Sequence, residues 1–428
     1  MASDSCVGMK GAYWPSDSSF PPSAIDTTLF THIYYAFLIP NNVTFKFDVD
    51  DSTAKLLLGF TSTLRAKNPP PKTLFSVGGA SAGGSVFARM ASTAATRKSF
   101  IHSSIHVARK FGFDGIDLDW EMPQNPVEME HFGVLLGEWR VEIKKEALRN
   151  RRPQLLLAAA TYFSVDFFLD KVYRAYPVAA INENLDWINA MCYDYHGSWD
   201  TSATGAQAAL FDPKSNISSS YGLGKWIEAG LLRSKLIMGL ALYGRTWKLK
   251  DASLQGIGAP AVDAGPGGGA LTFNEIEAFN MEKNATVVYD AATVSVYSVA
   301  GTSWIGYDDP RSISVKVKYA RTLKLRGYFF WAVNGATIVI AHWVQKIQVC
   351  LHGVARVAKG RREEKSGSEI DGCRQLQPRF STGKRFLVDG QPPFLEEQGE
   401  VGHGFGGIRE FPVEIEAVEV ELPSNING

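Results

Sequence analysis

The 428-residue chain is short of several things that would mark particular classes of protein. It has only 4 cysteines, Cys6, Cys192, Cys350 and Cys373. Their spacing matches no zinc or redox motif, and they are too few for a disulfide scaffold. Charge of either sign is not in excess: 44 Lys and Arg balance 44 Asp and Glu. That balance gives no footing for a nucleic acid or an anionic membrane as partner. No apolar run reaches the length of a membrane span. The Met-Ala-Ser-Asp-Ser-Cys start carries neither basic residues nor an apolar core, so no signal peptide is visible. Three Asn-X-Ser/Thr sequons begin at Asn42, Asn216 and Asn284, close to the number that chance supplies in this length.

What remains is an ordinary globular composition, 45% hydrophobic and 21% charged. That is too apolar for disorder and suits one large domain with additions. Short apolar runs alternate with helical stretches. The runs are Val7–Trp14, His32–Leu38, Thr73–Val77, Gly115–Trp120, Leu155–Thr161, Trp187–Tyr193, Leu236–Leu242 and Gly327–Trp331. Helices are expected over Ala54–Lys67, Ala94–Lys110, Pro126–Arg149 and Ser312–Leu325. Eight strands alternating with helices predict an α/β fold, a (β/α)8 TIM barrel. Gly/Ala-rich sequence between Trp247 and Asp309, with the alternating run Ala285–Val299, is too long for a connection. A small α+β insertion over 247–309 is expected, between strand 7 and helix 7. The barrel domain is placed at 1–345. Residues 346–428 form an atypical tail with charged and turn-rich stretches that read as poorly packed.

The densest chemistry lies in Asp114-Gly-Ile-Asp-Leu-Asp-Trp-Glu121. On a strand, Asp117, Asp119 and Glu121 share one face, while Ile116, Leu118 and Trp120 take the other. Like charges at that spacing repel unless some stay protonated or share protons. Asp114 has the opposite parity and is placed as a brace at the start of the strand. Three readings fit these residues: a solvated strand edge, an oxygen-ligand cation site, or carboxyl groups for acid/base work. Apolar residues opposite the acids weigh against the first, and the lack of nearby carbonyl or Asn ligands weighs against the second. Paired carboxyl groups are favoured, with no metal and no cofactor.

This octet resembles the DGxDxDxE signature of glycoside hydrolase family 18, the chitinases. Four further stretches resemble motifs of the same family in the same order. They are Tyr34-Tyr-Ala-Phe37, Ser76-Val-Gly78-Gly79, Met191-Cys-Tyr193-Asp194-Tyr-His-Gly197 and Met238-Gly-Leu-Ala-Leu-Tyr243-Gly-Arg245-Thr-Trp247, and Gly327-Tyr-Phe-Phe-Trp331 resembles the family's eighth strand. The Gly11-Ala-Tyr13-Trp14 start and Trp304-Ile-Gly-Tyr-Asp-Asp309 are similar to plant class V chitinases. The resemblance spans roughly residues 7 to 335. It implies cleavage of β-1,4-linked N-acetylglucosamine polymers or oligomers by a retaining, substrate-assisted mechanism. An inactive, chitin-binding lectin is the alternative.

The resemblance assigns catalysis to Glu121, Asp119, Asp117 and Tyr193. It assigns substrate contacts to Tyr13, Phe37, Gly78, Gly79, Trp120, Met191, Asp194, Tyr243, Arg245 and Trp331. By parity Tyr35 and Phe37 are expected on one face of their strand, and Met191, Tyr193 and Tyr195 on one face of theirs, with Cys192 opposite. The partner is then a chitin oligosaccharide bound by a monomer. The family implies an extracellular or vacuolar protein, although no signal peptide is visible here. Ala241 replaces the family's proline. The sequence after Trp331 lacks the family's usual aspartate, so Ala332–Val349 is expected to serve as a makeshift eighth helix.

Overall fold

The computed structural model describes residues 8–335. Eight parallel strands close into a barrel: β1 Met9–Pro15, β2 His32–Leu38, β3 Lys72–Gly78, β4 Gly115–Asp119, β5 Leu156–Tyr162, β6 Trp187–Met191, β7 Leu236–Ala241 and β8 Gly327–Trp331. They follow the eight predicted runs to within a few residues. Pairing goes from each strand to the next and finally from β8 back to β1. Such strands are covered on both sides, which is why they read as continuous apolar runs.

Helices cover the outer surface: α1 Asp51–Arg65, α2 Gly84–Ser92, α3 Ala94–Phe111, α4 Pro126–Asn150, α5 Val178–Asn184, α6 Ser219–Glu228, α7 Phe273–Glu282 and α8 Pro310–Thr322. The α7 helix belongs to the insertion, so α8 is the one that leads into β8. Local chemistry fixes their ends. Asn125 caps α4 through the Glu128 amide, with Pro126 at the first helical position, where its missing N–H is no loss. Asp309 caps α8 in the same way, with Pro310 next. On α4 the apolar stripe Met129, Phe132, Leu135, Leu136 and Trp139 is buried against the barrel. Each such side chain contributes about 1.5–3 kcal/mol relative to exposure.

Two apolar layers result. The larger lies between strands and helices, and includes Ile116, Leu118, Trp120 and Cys192. The smaller lies inside the barrel, where Tyr13, Tyr34, Trp187 and Phe329 pack with Phe37, Tyr193 and Trp331. Cys192 is buried with a free thiol, which burial pushes up to about 12, an inert state.

The expected insertion is present, and its sheet starts at Tyr243, a little before the predicted boundary. Strands Tyr243–Leu249, Ala261–Ala264, Ala270–Thr272, Thr286–Asp290, Ser295–Ala300 and Ser303–Tyr307 form it, with α7 alongside. The run Ala285–Val299 folds as two antiparallel strands rather than one, because Thr293 bonds back to Asp290 and turns the chain. A second addition follows β5, the hairpin Asp166–Leu169 and Val172–Ala175, which periodicity did not reveal. After β8 the described chain ends in a short 3-10 turn, Val333–Gly335. The predicted eighth helix beyond it and the tail at 346–428 lie outside the described residues.

Candidate active site at the C-terminal mouth of the barrel

In a closed parallel barrel the strand ends at the C-terminal mouth can carry chemistry, because loops there vary without disturbing the core. Strand β4 delivers Asp117 and Asp119 to the interior and leaves Glu121 just past its end. Asp114 braces the start of the strand: it pairs with Lys72 at 2.9 Å and accepts from the Thr73 amide at 2.9 Å. Asp117 is fully buried. Its Oδ2 accepts from Tyr13 Oη at 2.8 Å and Ser76 Oγ at 2.7 Å, and its Oδ1 from Asn189 Nδ2 at 3.3 Å. Burial pushes its carboxyl up to about 6, against those three donors.

Asp119 has fewer partners. Burial first, then the charges of Glu121 and Asp117, hold its carboxyl well above the usual range. Its Oδ1 is buried with no hydrogen-bond partner among the described residues. A buried carboxyl oxygen without a partner is uncommon and costly. Glu121 is raised to about 7, by burial first and by the charge of Asp194 second, with the Ala80 backbone opposing. All three carboxyls are thus shifted upward, with burial the first cause for each.

Aromatic rings floor the same mouth. Trp331 at the end of β8 stacks on Phe37 with centroids 5.4 Å apart and lies 5.4 Å from Tyr13. Tyr193, just past β6, packs edge-on against Tyr243 at 6.1 Å and Phe329 at 6.2 Å. Asp194 takes a left-handed backbone, φ 60°, which Asp tolerates better than most residues. Its Oδ1 accepts from Arg245 Nε at 2.7 Å. The Arg245 guanidinium in turn lies over the rings of Tyr243, at 5.3 Å, and Trp199, at 5.1 Å. Met191 closes β6, half-buried beside them.

Gly78 and Gly79 both have positive φ. A Cβ at Gly78 would meet the Asp119 carbonyl at 2.0 Å, and one at Gly79 would meet the Phe37 ring at 2.5 Å. Their room is taken up by protein: the Gly79 amide donates to Asp119 O at 2.9 Å, which lets β3 and β4 meet closely.

Three sequence expectations need correction. Trp120, assigned to substrate, is 2% exposed and packs outward against Phe87 and Phe132. It obeys the strand alternation that puts Glu121 inward. Tyr35 and Phe37 do not share a face. The pairing of β2 with β3 shifts between Tyr35 and Leu38, so Tyr35 packs outward on Phe60 while Phe37 turns in to Trp331. Tyr195 does not share a face with Tyr193 either. The strand ends at Met191 and Asp194 turns the chain, leaving Tyr195 against Phe163 and Ser219 in the outer layer.

Other residues at the site carried no signal of their own. Ser76 lay inside a quoted motif, yet only the fold brings it to Asp117. Asn189 is a polar residue inside the apolar run Trp187–Tyr193. Gln207, 1% exposed, accepts the Asp194 amide at 3.4 Å and donates to Tyr243 O at 2.9 Å, tying together two strand ends. Long-range pairs of this kind leave no periodicity to read.

The family model for glycosyl hydrolases family 18 matches residues 10–336, which takes in every residue of this site. The chain belongs to that family. Class V chitinase CHIT5b of Medicago truncatula is 49% identical over 335 residues, 78% of this chain and 88% of that protein. Among solved structures, class V chitinase from Nicotiana tobaccum in complex with NAG4 has a TM-score of 0.76 and 38% identity, covering 79% of this chain and 98% of that one. A chitinase-like agglutinin from Robinia pseudoacacia has a TM-score of 0.72 and 39% identity over the same shares. Family 18 membership and the barrel therefore come together, and the barrel is shared by a class V chitinase and a chitinase-like agglutinin.

Proposed function

We propose that the protein hydrolyses β-1,4-linked N-acetylglucosamine oligomers with retention of configuration, using the substrate's own acetamido group as nucleophile. The observation that carries this reading is Glu121 at the end of β4, its carboxyl pushed up to about 7 chiefly by burial, with Asp119 and Asp117 in line behind it. Most retaining glycosidases set a second carboxylate at the anomeric carbon, and substrate-assisted families are the exception. Here Asp119 is buried beside Glu121 and its carboxyl is held well above the usual range, which makes it a poor nucleophile and a good positioning group.

In this mechanism Glu121 gives its proton to the glycosidic oxygen. The acetamido carbonyl attacks the anomeric carbon, the glycosidic bond breaks, and an oxazolinium ion forms. The unpartnered Oδ1 of Asp119 accepts the acetamido N–H, so the group is oriented, and the Asp117 carboxylate beneath it offsets the developing positive charge. Tyr193 donates to the acetamido oxygen, while Trp331 and Phe37 supply the floor under the sugar. Water, deprotonated by Glu121, then opens the ring. Asp194 and Arg245 take polar contacts on the side of the insertion.

Proton NMR of the first products of an N-acetylglucosamine oligomer tests this. The β-anomer is expected first, and an early α-anomer would overturn it. Fully deacetylated oligomers lack the nucleophile and should survive. A lectin is the second reading, favoured by the likeness to the agglutinin. It predicts oligomer binding without any product.

A further inference from the structure

A buried chain of hydrogen bonds runs up the inside of the barrel to Asp117, and its direction is set from the far end. Trp187 Nε1 can only donate, and it donates to Tyr34 Oη at 2.9 Å. Tyr34 is thereby left to give its own proton onward, to Asn189 Oδ1 at 3.4 Å. That fixes which way the Asn189 amide points. Its Nδ2 donates to Tyr13 Oη at 2.9 Å and to Asp117 Oδ1 at 3.3 Å. Tyr13, accepting from the amide, sends its proton to Asp117 Oδ2 at 2.8 Å. Trp187, Tyr34 and Asn189 are all 0% exposed, so no water competes for these bonds.

Ser76 on β3 is a further donor to Asp117. In this arrangement the three partners of Asp117, namely Tyr13, Ser76 and Asn189, all present protons to it. A proton on Asp117 would displace one of these donors. Asn189 touches neither Asp119 nor Glu121 and acts only through Asp117.

We propose that Asn189 is a positioning residue: oriented by the Trp187 N–H through Tyr34, it turns the donors of the barrel interior onto Asp117 and favours its charged form, leaving protonation to Asp119 and Glu121 above it. This rests on the hydrolase reading above, which needs one carboxylate charge held beneath two protonated acids. The other groups facing the chain are Asp119, Glu121 and Tyr193 at its upper end. At its lower end the His32 ring lies 5.2 Å and the Arg326 guanidinium 5.0 Å from the Trp187 ring.

The test compares Asn189→Leu and Tyr34→Phe with the full wild-type chain. Donors to a carboxylate favour its charged form, so their loss favours protonation. In Asn189→Leu the acid limb of the kcat profile should move to higher pH, with kcat at its optimum down roughly ten- to hundredfold and KM nearly unchanged. Tyr34→Phe keeps the ring that stacks on Tyr13 at 4.5 Å and should move the limb the same way by less. Isotope-edited infrared titration of the Asp carboxyls without substrate reads the same shift. It separates failure here from failure of the hydrolase reading, because it needs no turnover. Acid limbs and carboxyl titrations that superimpose on the wild type in a folded Tyr34→Phe or Asn189→Leu protein overturn the proposal, even if kcat falls. Should Asn189→Leu not fold, Tyr34→Phe decides alone.

Discussion

Two groups of carboxyls meet at the mouth of the barrel and are handled in opposite ways. Asp117, Asp119 and Glu121 come up one strand with no cation. Among the described residues no ion pair reaches any of them. Burial and mutual repulsion then favour protonation, and the cluster becomes a store of protons near neutral pH. Asp194, by contrast, is met by Arg245 from the insertion at 2.7 Å, and its charge has a partner. The same residue type thus serves two purposes at one mouth. Burial raises the three carboxyls on and just past β4, and among these four acids a guanidinium reaches Asp194 alone.

The comparison can be broken from either side, and the largest effect is expected at the proton donor. Glu121→Gln keeps size and removes the proton. Turnover of N-acetylglucosamine oligomers should fall by about 10²–10⁴ or more, with oligomer binding retained by calorimetry. Near-wild-type turnover would remove Glu121 as the acid.

Next comes the paired side. Arg245→Met leaves Asp194 half-buried without its cation and frees a ring contact on Tyr243. Steady-state kinetics should record kcat/KM lower by roughly ten- to hundredfold through lost positioning. An unchanged value would mean that the ion pair serves the insertion's fold alone.

The pH profile sharpens the contrast without mutation. Activity needs Glu121 protonated and should decline as pH rises through about 7. It also needs one charge held below, on Asp117, and should decline as pH falls through about 6. A narrow bell between these limbs is expected for kcat/KM, the limbs belonging to the coupled cluster as a whole. A basic limb near the ordinary carboxyl range, well below pH 7, would contradict a proton held by burial.

The smallest effect on catalysis is expected at Trp120, which lies next to Glu121 in sequence but on the helix side of β4. Trp120→Phe should change KM by less than about twofold, while stability falls by about 1–3 kcal/mol in denaturant unfolding. A large rise in KM with stability intact would return Trp120 to the groove.

Much of this molecule follows from local pattern. Eight apolar runs with helical stretches between them set the barrel, because a strand covered on both faces must be apolar throughout. Strict alternation from Ile116 to Glu121 put the acids on one face, because Cβ direction in a strand has a period of two. The length of 247–309 announced an inserted unit. Alternation failed where the backbone stops being a strand, at the register shift before Phe37 and at the left-handed Asp194. No composition signals those two breaks in advance.

Tertiary structure alone decided who meets whom. Closing the sheet brings Tyr13, Ser76 and Asn189, from three different strands, onto the same carboxyl. It gives Arg245 to Asp194 and withholds any cation from Asp119. It also uses Gly78 and Gly79 to seat Asp119 and Phe37. Partners of this kind are separated by tens to more than a hundred residues of chain, and hydrogen bonds between them leave no repeat in the sequence. The residue types could be read from the chain; their protonation states required the closed barrel, because burial and neighbours set them.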